Sequence, residues 1–259
     1  MGRSKDLATR VGIDDNANAT AITIDSSENV GVGLTAPTAP LTIKSPTNAE
    51  AIHVVGRSDD IGQMKFFEAD HTTILATLEA RNSFVNFGSQ ASIPTKFMTS
   101  GSERMIIDAS GRVTMPSQPC FLVNGNQGGW QTVSAGGTST VAFHQEQFDQ
   151  GNCFNNSTMR FVAPVSGKYL LHFSAYVRLE TQDDDTNHAY TRITRNGSIY
   201  AETHYVYGYQ NNGDADQQAT LTVIMDMSAN DYAMAALNAA SGSASFYQPG
   251  CQFMGYLVA

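Results

Sequence analysis

Two stretches carry the residue types that could bind a ligand. Asp183, Asp184 and Asp185 are adjacent, and Asp214 and Asp216 follow some thirty residues later. Oxygen-rich loops of this kind can hold Ca²⁺. They are equally ordinary solvated turns, because Asp side chains cap their own backbone. The spacing is not that of an EF-hand loop, so a turn is the reading taken, with no metal and no cofactor. The second stretch is Tyr205, Tyr207 and Tyr209, followed by Asn211 and Asn212. Alternation puts the three rings on one face of a strand. Exposed Tyr beside amides can bind sugar rings through flat apolar contact and hydrogen bonds. The same rings could instead line a subunit interface or a sandwich interior. Tyr205, Tyr207, Tyr209, Asn211, Asn212, Asp183, Asp184 and His188 are therefore the candidate ligand-binding residues.

Signatures of catalysis do not stand out. We find no phosphate-binding glycine loop, no dinucleotide fingerprint, no HExxH, no paired CxxC and no GxSxG. His53, His71, His144, His172, His188 and His204 are dispersed and read as surface or strand residues. The expectation is a protein that is not an enzyme. Cys120, Cys153 and Cys251 are too few and scattered for a disulfide scaffold. Cys153 and Cys251 could pair on adjoining strands, but buried free thiols are the reading taken.

The elements that must position these residues are strands. Charged residues are 15% of the chain, against about 25% in an average soluble domain. Much of the polar content is Asn, Gln, Ser and Thr, with 22 Gly. That mix suits short strands, turns and surfaces between subunits. The net charge of −9 argues against nucleic acid as a partner, since phosphates need Lys and Arg. No apolar run reaches the length of a membrane span. Met1 to Asp6 lacks the apolar stretch of a secretory signal and the Ser or Thr of a myristoylation site.

In the second half, Tyr169, Leu171, Phe173, Ala175 and Val177 alternate with His172, Ser174, Tyr176 and Arg178. This predicts a strand with one buried face. A further strand is expected at Phe253–Val258, tying the C-terminus into a sheet. In the first half an internal repeat appears. Ile22-Thr23-Ile24-Asp25-Ser26-Ser27-Glu28-Asn29-Val30-Gly31-Val32 matches Met105-Ile106-Ile107-Asp108-Ala109-Ser110-Gly111-Arg112-Val113-Thr114-Met115. Each copy predicts a β-hairpin, and Gly111 suits a positive φ at its turn. Such a hairpin cannot bury its apolar face alone. Residues 52–55, 63–68 and 83–88 read as short strands. Thr72–Arg81 fits either a helical turn or a strand.

Two family resemblances follow from these residues. The run from Phe161 to Phe173, with Ala163-Pro164, Gly167 and Tyr169, resembles the globular head of complement component C1q and its tumour-necrosis-factor-like relatives. So do the turn Met227–Tyr232 and the closing Phe253-Met254-Gly255-Tyr256-Leu257-Val258. The resemblance covers Pro119 to Ala259. It implies a jelly-roll sandwich, a tight homotrimer, and use in binding. Asn29-Val30-Gly31-Val32-Gly33-Leu34-Thr35-Ala36-Pro37 with Leu41-Thr42-Ile43, and Ser102–Val113, resemble shaft segments of bacteriophage tail fibres. Leu34 stands where that family usually has Thr.

Together these give an all-β chain: a β-rich trimeric fibre shaft followed by a C-terminal jelly-roll β-sandwich head. Residues 1–20 would be a virion-attachment segment, 21–118 the shaft with its hairpin repeats, and 119–259 the head. The expected protein is a homotrimeric phage tail fibre or spike on the virion, made in the host cytoplasm. Its expected partners are other virion proteins through the N-terminal segment, and a host-surface glycan or lipopolysaccharide. Neither nucleic acid nor membrane insertion is expected. The alternative is a structural virion component, decorating the capsid or bracing the tail or baseplate. A third reading, envelope breakdown, would need a carboxylate pair in a groove.

Overall fold

A computed structural model describes residues 22–45, 50–58, 60–125, 127–179, 188–206 and 216–259. The described residues form strands and no helix. The chain divides into two compact units, residues 1–93 and 94–259.

The first unit holds two three-stranded sheets. One comprises β1 (Ile22–Ile24), β2 (Val30–Val32) and β3 (Leu41–Ile43). β1 and β2 form the expected hairpin, and β3 returns parallel to β2. Register places Ile22, Ile24, Val30, Val32, Leu41 and Ile43 on one face. Thr23, Gly31 and Thr42 take the other. The connection after β2 covers this second face, where a Cβ on Gly31 would meet the Leu34 carbonyl oxygen at 2.8 Å. The apolar face is left open, with Ile24 69% and Leu41 61% exposed.

The other sheet comprises β4 (Gly62–Phe67), β5 (Ile74–Ala80) and β6 (Val85–Ser89), all antiparallel. β5 settles the ambiguous segment as a strand. Val85, paired with Ala80, lies beside the rows Met64–Leu78–Phe87 and Phe66–Ala76–Ser89 on one face. Lys65, Thr77, Glu79 and Asn86 lie on the reverse. Again the apolar face is open, and Phe87 is 64% exposed. Residues 52–55, expected as a strand, are irregular. Val54 instead borders an apolar groove with Gly62, Met64 and Leu78, and no strand pairs with the segment. Among the described large apolar side chains of this unit, only Ile61 is buried.

The second unit begins with β7 (Thr95–Thr99), β8 (Ser102–Ile107) and β9 (Val113–Thr114), a third small antiparallel sheet. β8 and β9 are the second copy of the repeat. Two six-stranded sheets follow. Their strands are β10 (Cys120–Asn124), β11 (Trp130–Val133), β12 (Thr138–Thr140), β13 (Gln145–Gln150), β14 (Phe154–Asn155) and β15 (Arg160–Val162). Then come β16 (Gly167–Leu179), β17 (His188–Arg195), β18 (Ser198–Val206), β19 (Asp216–Met227), β20 (Tyr232–Ser241) and β21 (Ala244–Leu257). One sheet runs β13-β10-β21-β16-β19, with β11 also on β21; the other runs β14-β15-β20-β17-β18, with β12 also on β20.

The predicted alternation in β16 holds. Tyr169, Leu171, Phe173, Ala175 and Val177 are buried, and His172, Tyr176 and Arg178 turn outward; Ser174, expected outward with them, is instead buried, its hydroxyl accepting a hydrogen bond from Gln218. The other sheet faces them with small residues from β20, namely Ala233, Ala235 and Ala239. That leaves room for large rings. Phe121 stacks on Phe161 across the core at 5.0 Å and meets Phe253 edge-on at 5.2 Å, a geometry aromatic pairs favour. The C-terminal strand β21 is tied into a sheet, as expected, and stands at its centre. The three cysteines are free. Burial pushes the Cys251 thiol up to about 12, which leaves it inert.

Candidate functional site

The outward face of the β13-β10-β21-β16-β19 sheet is built in cross-strand rows. The first row is Ile224, Leu170, Tyr256, Cys120 and Gln150. The second is Thr222, His172, Met254, Leu122 and Phe148. Ile224 is 57% and Phe148 49% exposed. No charged side chain interrupts these two rows. A soluble monomer normally turns such a face inward, so contiguous apolar surface of this kind marks an interaction site.

Towards the far end of the same face the chemistry changes. β21 bulges opposite Ser174–Tyr176, and this brings Tyr247 beside Tyr176. β11 adds Trp130 beside Tyr247. The ring centroids of Trp130 lie 5.8 Å from Tyr176 and 5.4 Å from Tyr247. Arg178 lies over the Trp130 ring at 4.2 Å. Its Nε and Nη2 donate to the two Asp216 oxygens at 2.7 and 3.0 Å. The Tyr176 hydroxyl also donates to Asp216, at 3.2 Å. These bonds hold the Asp216 carboxyl below the usual carboxylate range, chiefly through Arg178. The result is an aromatic surface with a fixed charge pair, able to stack on a flat apolar ligand face and to hydrogen-bond its rim.

The sequence-predicted residues divide as follows. His188 opens β17, half-buried, with its ring 5.3 Å from Tyr190 in an edge-on contact. Tyr205 lies in β18, paired with Ala189. Tyr207, Tyr209, Asn211, Asn212, Asp183 and Asp184 lie outside the described residues, as do Asp185 and Asp214. Asp216 needs correction: it begins strand β19 instead of standing in a turn, because Arg178 across the ladder takes both its oxygens. Among the described residues no three His, Cys, Asp or Glu side chains gather as metal ligands would. Trp130 opens β11 and is 37% exposed. The cluster of Trp130, Tyr176, Tyr247, Arg178 and Asp216 was missed. Its members are spread from residue 130 to 247, and the outward parity of Tyr176 and Arg178 was the only signal.

The strand ends that flank the two candidate segments are themselves paired. Arg178 pairs with Asp216, and His188 pairs with Val206.

Residues 129–258 match the C1q domain. The chain belongs to the C1q domain family. The structure places one more strand, β10, ahead of the matched residues and within the same sheet. C1q and tumour-necrosis-factor-like domains often form trimers and bind ligands, and they are generally binding or structural modules without catalysis. Similar solved structures include the Eiger TNF of S. frugiperda, at 14% identity and TM-score 0.43 over 55% of this chain and 94% of that one. The globular domain of zebrafish complement 1qA is similar at 16% identity and TM-score 0.36, over 55% and 98%. Murine APRIL is similar at 11% identity and TM-score 0.40, over 54% and 99%. No curated protein matches the chain.

Proposed function

We propose that this chain is a homotrimeric fibre or spike protein of a bacteriophage, carried on the virion, which adheres to a host cell surface. The observation that carries the trimer is the open apolar face of the C1q domain, formed by Leu170, Ile224, Tyr256, Met254, Leu122 and Phe148. Under a threefold axis that face packs against its own copies. The fibre assignment is supported by the resemblance of residues 29–43 and 102–113 to phage shafts. In this reading residues 1–20 attach to the virion, 21–118 serve as the shaft and 119–259 as the head.

The receptor surface belongs to the head. Asp183, Asp184, His188, Tyr205, Tyr207, Tyr209, Asn211 and Asn212 supply it. The ligand is a host glycan or lipopolysaccharide, whose sugar rings suit Tyr and Asn side chains. Three copies multiply a weak site by avidity.

The test is adsorption of the purified protein to susceptible cells, with competition against the phage. Saturable binding that slows infection is expected. Absence of binding to any susceptible strain, with infection unimpaired, would overturn the adhesin and leave the structural role on the particle.

A further inference from the structure

The first unit is built the wrong way out for a chain that stands alone. In both of its sheets the polar or small parity is covered or mixed, and the apolar parity is open except where Val54 borders Met64 and Leu78. In β1–β3 the covered face carries Thr23, Gly31 and Thr42, and the open face carries six β-branched or Leu side chains. In β4–β6 the charged residues Lys65 and Glu79 share the reverse face, and the open face carries Met64, Phe66, Leu78, Val85 and Phe87. Strand parity fixes every one of these side chains at once, so the pattern cannot be an accident of one rotamer. Ile61 is the sole described large apolar side chain buried in this unit, so these sheets lack a core of their own.

We infer that the open faces of β1–β3 and β4–β6 are the contact surfaces between three copies of this same chain. Two arguments select copies of the chain as the occupant. The first is charge. Neither face carries a charged residue, and a side chain near a threefold axis meets its own copies, where any charge would repel itself. Uncharged faces satisfy that condition; a surface for a charged foreign partner would carry complementary charge. The second is area. With strands about 4.8 Å apart and about 3.3 Å per residue, the β4–β6 face covers on the order of 250 Å². A stable free-standing interface needs about 800 Å² per partner. The face is too small to recruit a separate protein by itself. It suffices once the copies are already held together elsewhere, which the C1q domain does in the reading above. The inference rests on that trimeric reading and adds the interior surface of the shaft.

Single-cysteine reporters test it in the full-length protein. Leu78→Cys and Ile24→Cys stand on the open faces, and Lys65→Cys stands on the reverse face as control. The unsubstituted protein controls for Cys120, Cys153 and Cys251. Mild oxidation should convert Leu78→Cys and Ile24→Cys to covalent dimers on a denaturing gel and leave Lys65→Cys unlinked. Phe87→Cys provides a second reporter on the β4–β6 face if Leu78→Cys does not fold. A trimer by mass in which neither face cross-links would overturn this inference and spare the trimeric head. A monomer by mass would remove both. Cross-linking at Lys65→Cys with none at Leu78→Cys or Phe87→Cys would mean that the reverse face is the interior, and would likewise overturn it.

Discussion

Glu28 and Gly111 occupy the same place in two copies of one turn, with φ of 65° and 83°. In the first copy the amide of Glu28 donates to the Asp25 carbonyl, and in the second the amide of Gly111 donates to the Asp108 carbonyl. The side chains repeat as well. Asp25 Oδ1 accepts from the amides of Ser27 and Asn29, at 2.8 and 3.0 Å. Asp108 Oδ1 accepts from Ser110 and Arg112, at 2.8 and 2.9 Å. The internal repeat is thus one hairpin turn used twice, with a left-handed residue closing it.

A left-handed residue other than Gly costs roughly 1 kcal/mol. Glu28→Gly should therefore stabilise its hairpin by somewhat under that amount, since Gly also frees the unfolded chain. Gly111→Ala should destabilise the other by about 1 kcal/mol. A Cβ at Gly111 meets nothing within 4 Å, so the cost is backbone alone. Thermal melts of the two variants should shift in opposite directions.

The same turns predict acid sensitivity. Hydrogen bonds from Asn29 and from Arg112 hold the Asp25 and Asp108 carboxyls below their ordinary value. Asp70 is lowered too, chiefly by the Thr73 hydroxyl and amide. A carboxyl lowered in the folded state stabilises it above the unfolded value, about 3.9, and that contribution is lost as pH falls below it. Melting temperature should therefore decline as pH drops through about 4. Asp25→Ala, Asp70→Ala and Asp108→Ala together should flatten that decline. An equal slope in the triple variant would refute the assignment.

Gly255 sits on the inner face between Leu171 and Phe121. A Cβ there would lie 2.5 Å from Leu171 Cδ2, 2.9 Å from the Leu170 carbonyl oxygen and 2.9 Å from Phe121 Cε1. The backbone oxygen cannot yield without breaking the ladder. Gly255→Ala should cost about 1–3 kcal/mol as overpacking, measured as a lower denaturant midpoint. Unchanged stability would show that β10 and β16 can move apart.

The protein has one Trp, so the charge pair beside it can be read optically. Arg178→Ala removes the cation over Trp130 and leaves Asp216 bonded to the Tyr176 hydroxyl without its charged partner. A change in Trp130 emission is expected, with a double-mutant coupling between Arg178 and Asp216 of about 1 kcal/mol. Additive effects of the two substitutions would mean that the pair is not coupled.

Much of the head was legible because burial follows parity. The alternation from Tyr169 to Arg178 fixed which side chains enter the core, and the segment from Phe161 to Val258 carried the jelly roll. The repeat at Asp25 and Asp108 was legible as a hairpin, though β3 and β7, which complete the two sheets, left no comparable signal. Trp130, Tyr176 and Tyr247 were not legible as a group. Their meeting depends on a bulge in β21 and on strand order, and neither is written in local spacing. Residues 52–55 misled for the opposite reason: four residues with three large apolar side chains look like a strand, yet among the described residues no strand pairs with them.

The central claim is threefold association of the chain, and its mass in solution tests that claim most directly. Light scattering on the intact protein at low concentration should give three times the 27.9 kDa chain mass. A well-folded species at 27.9 kDa, stable on dilution, would contradict it.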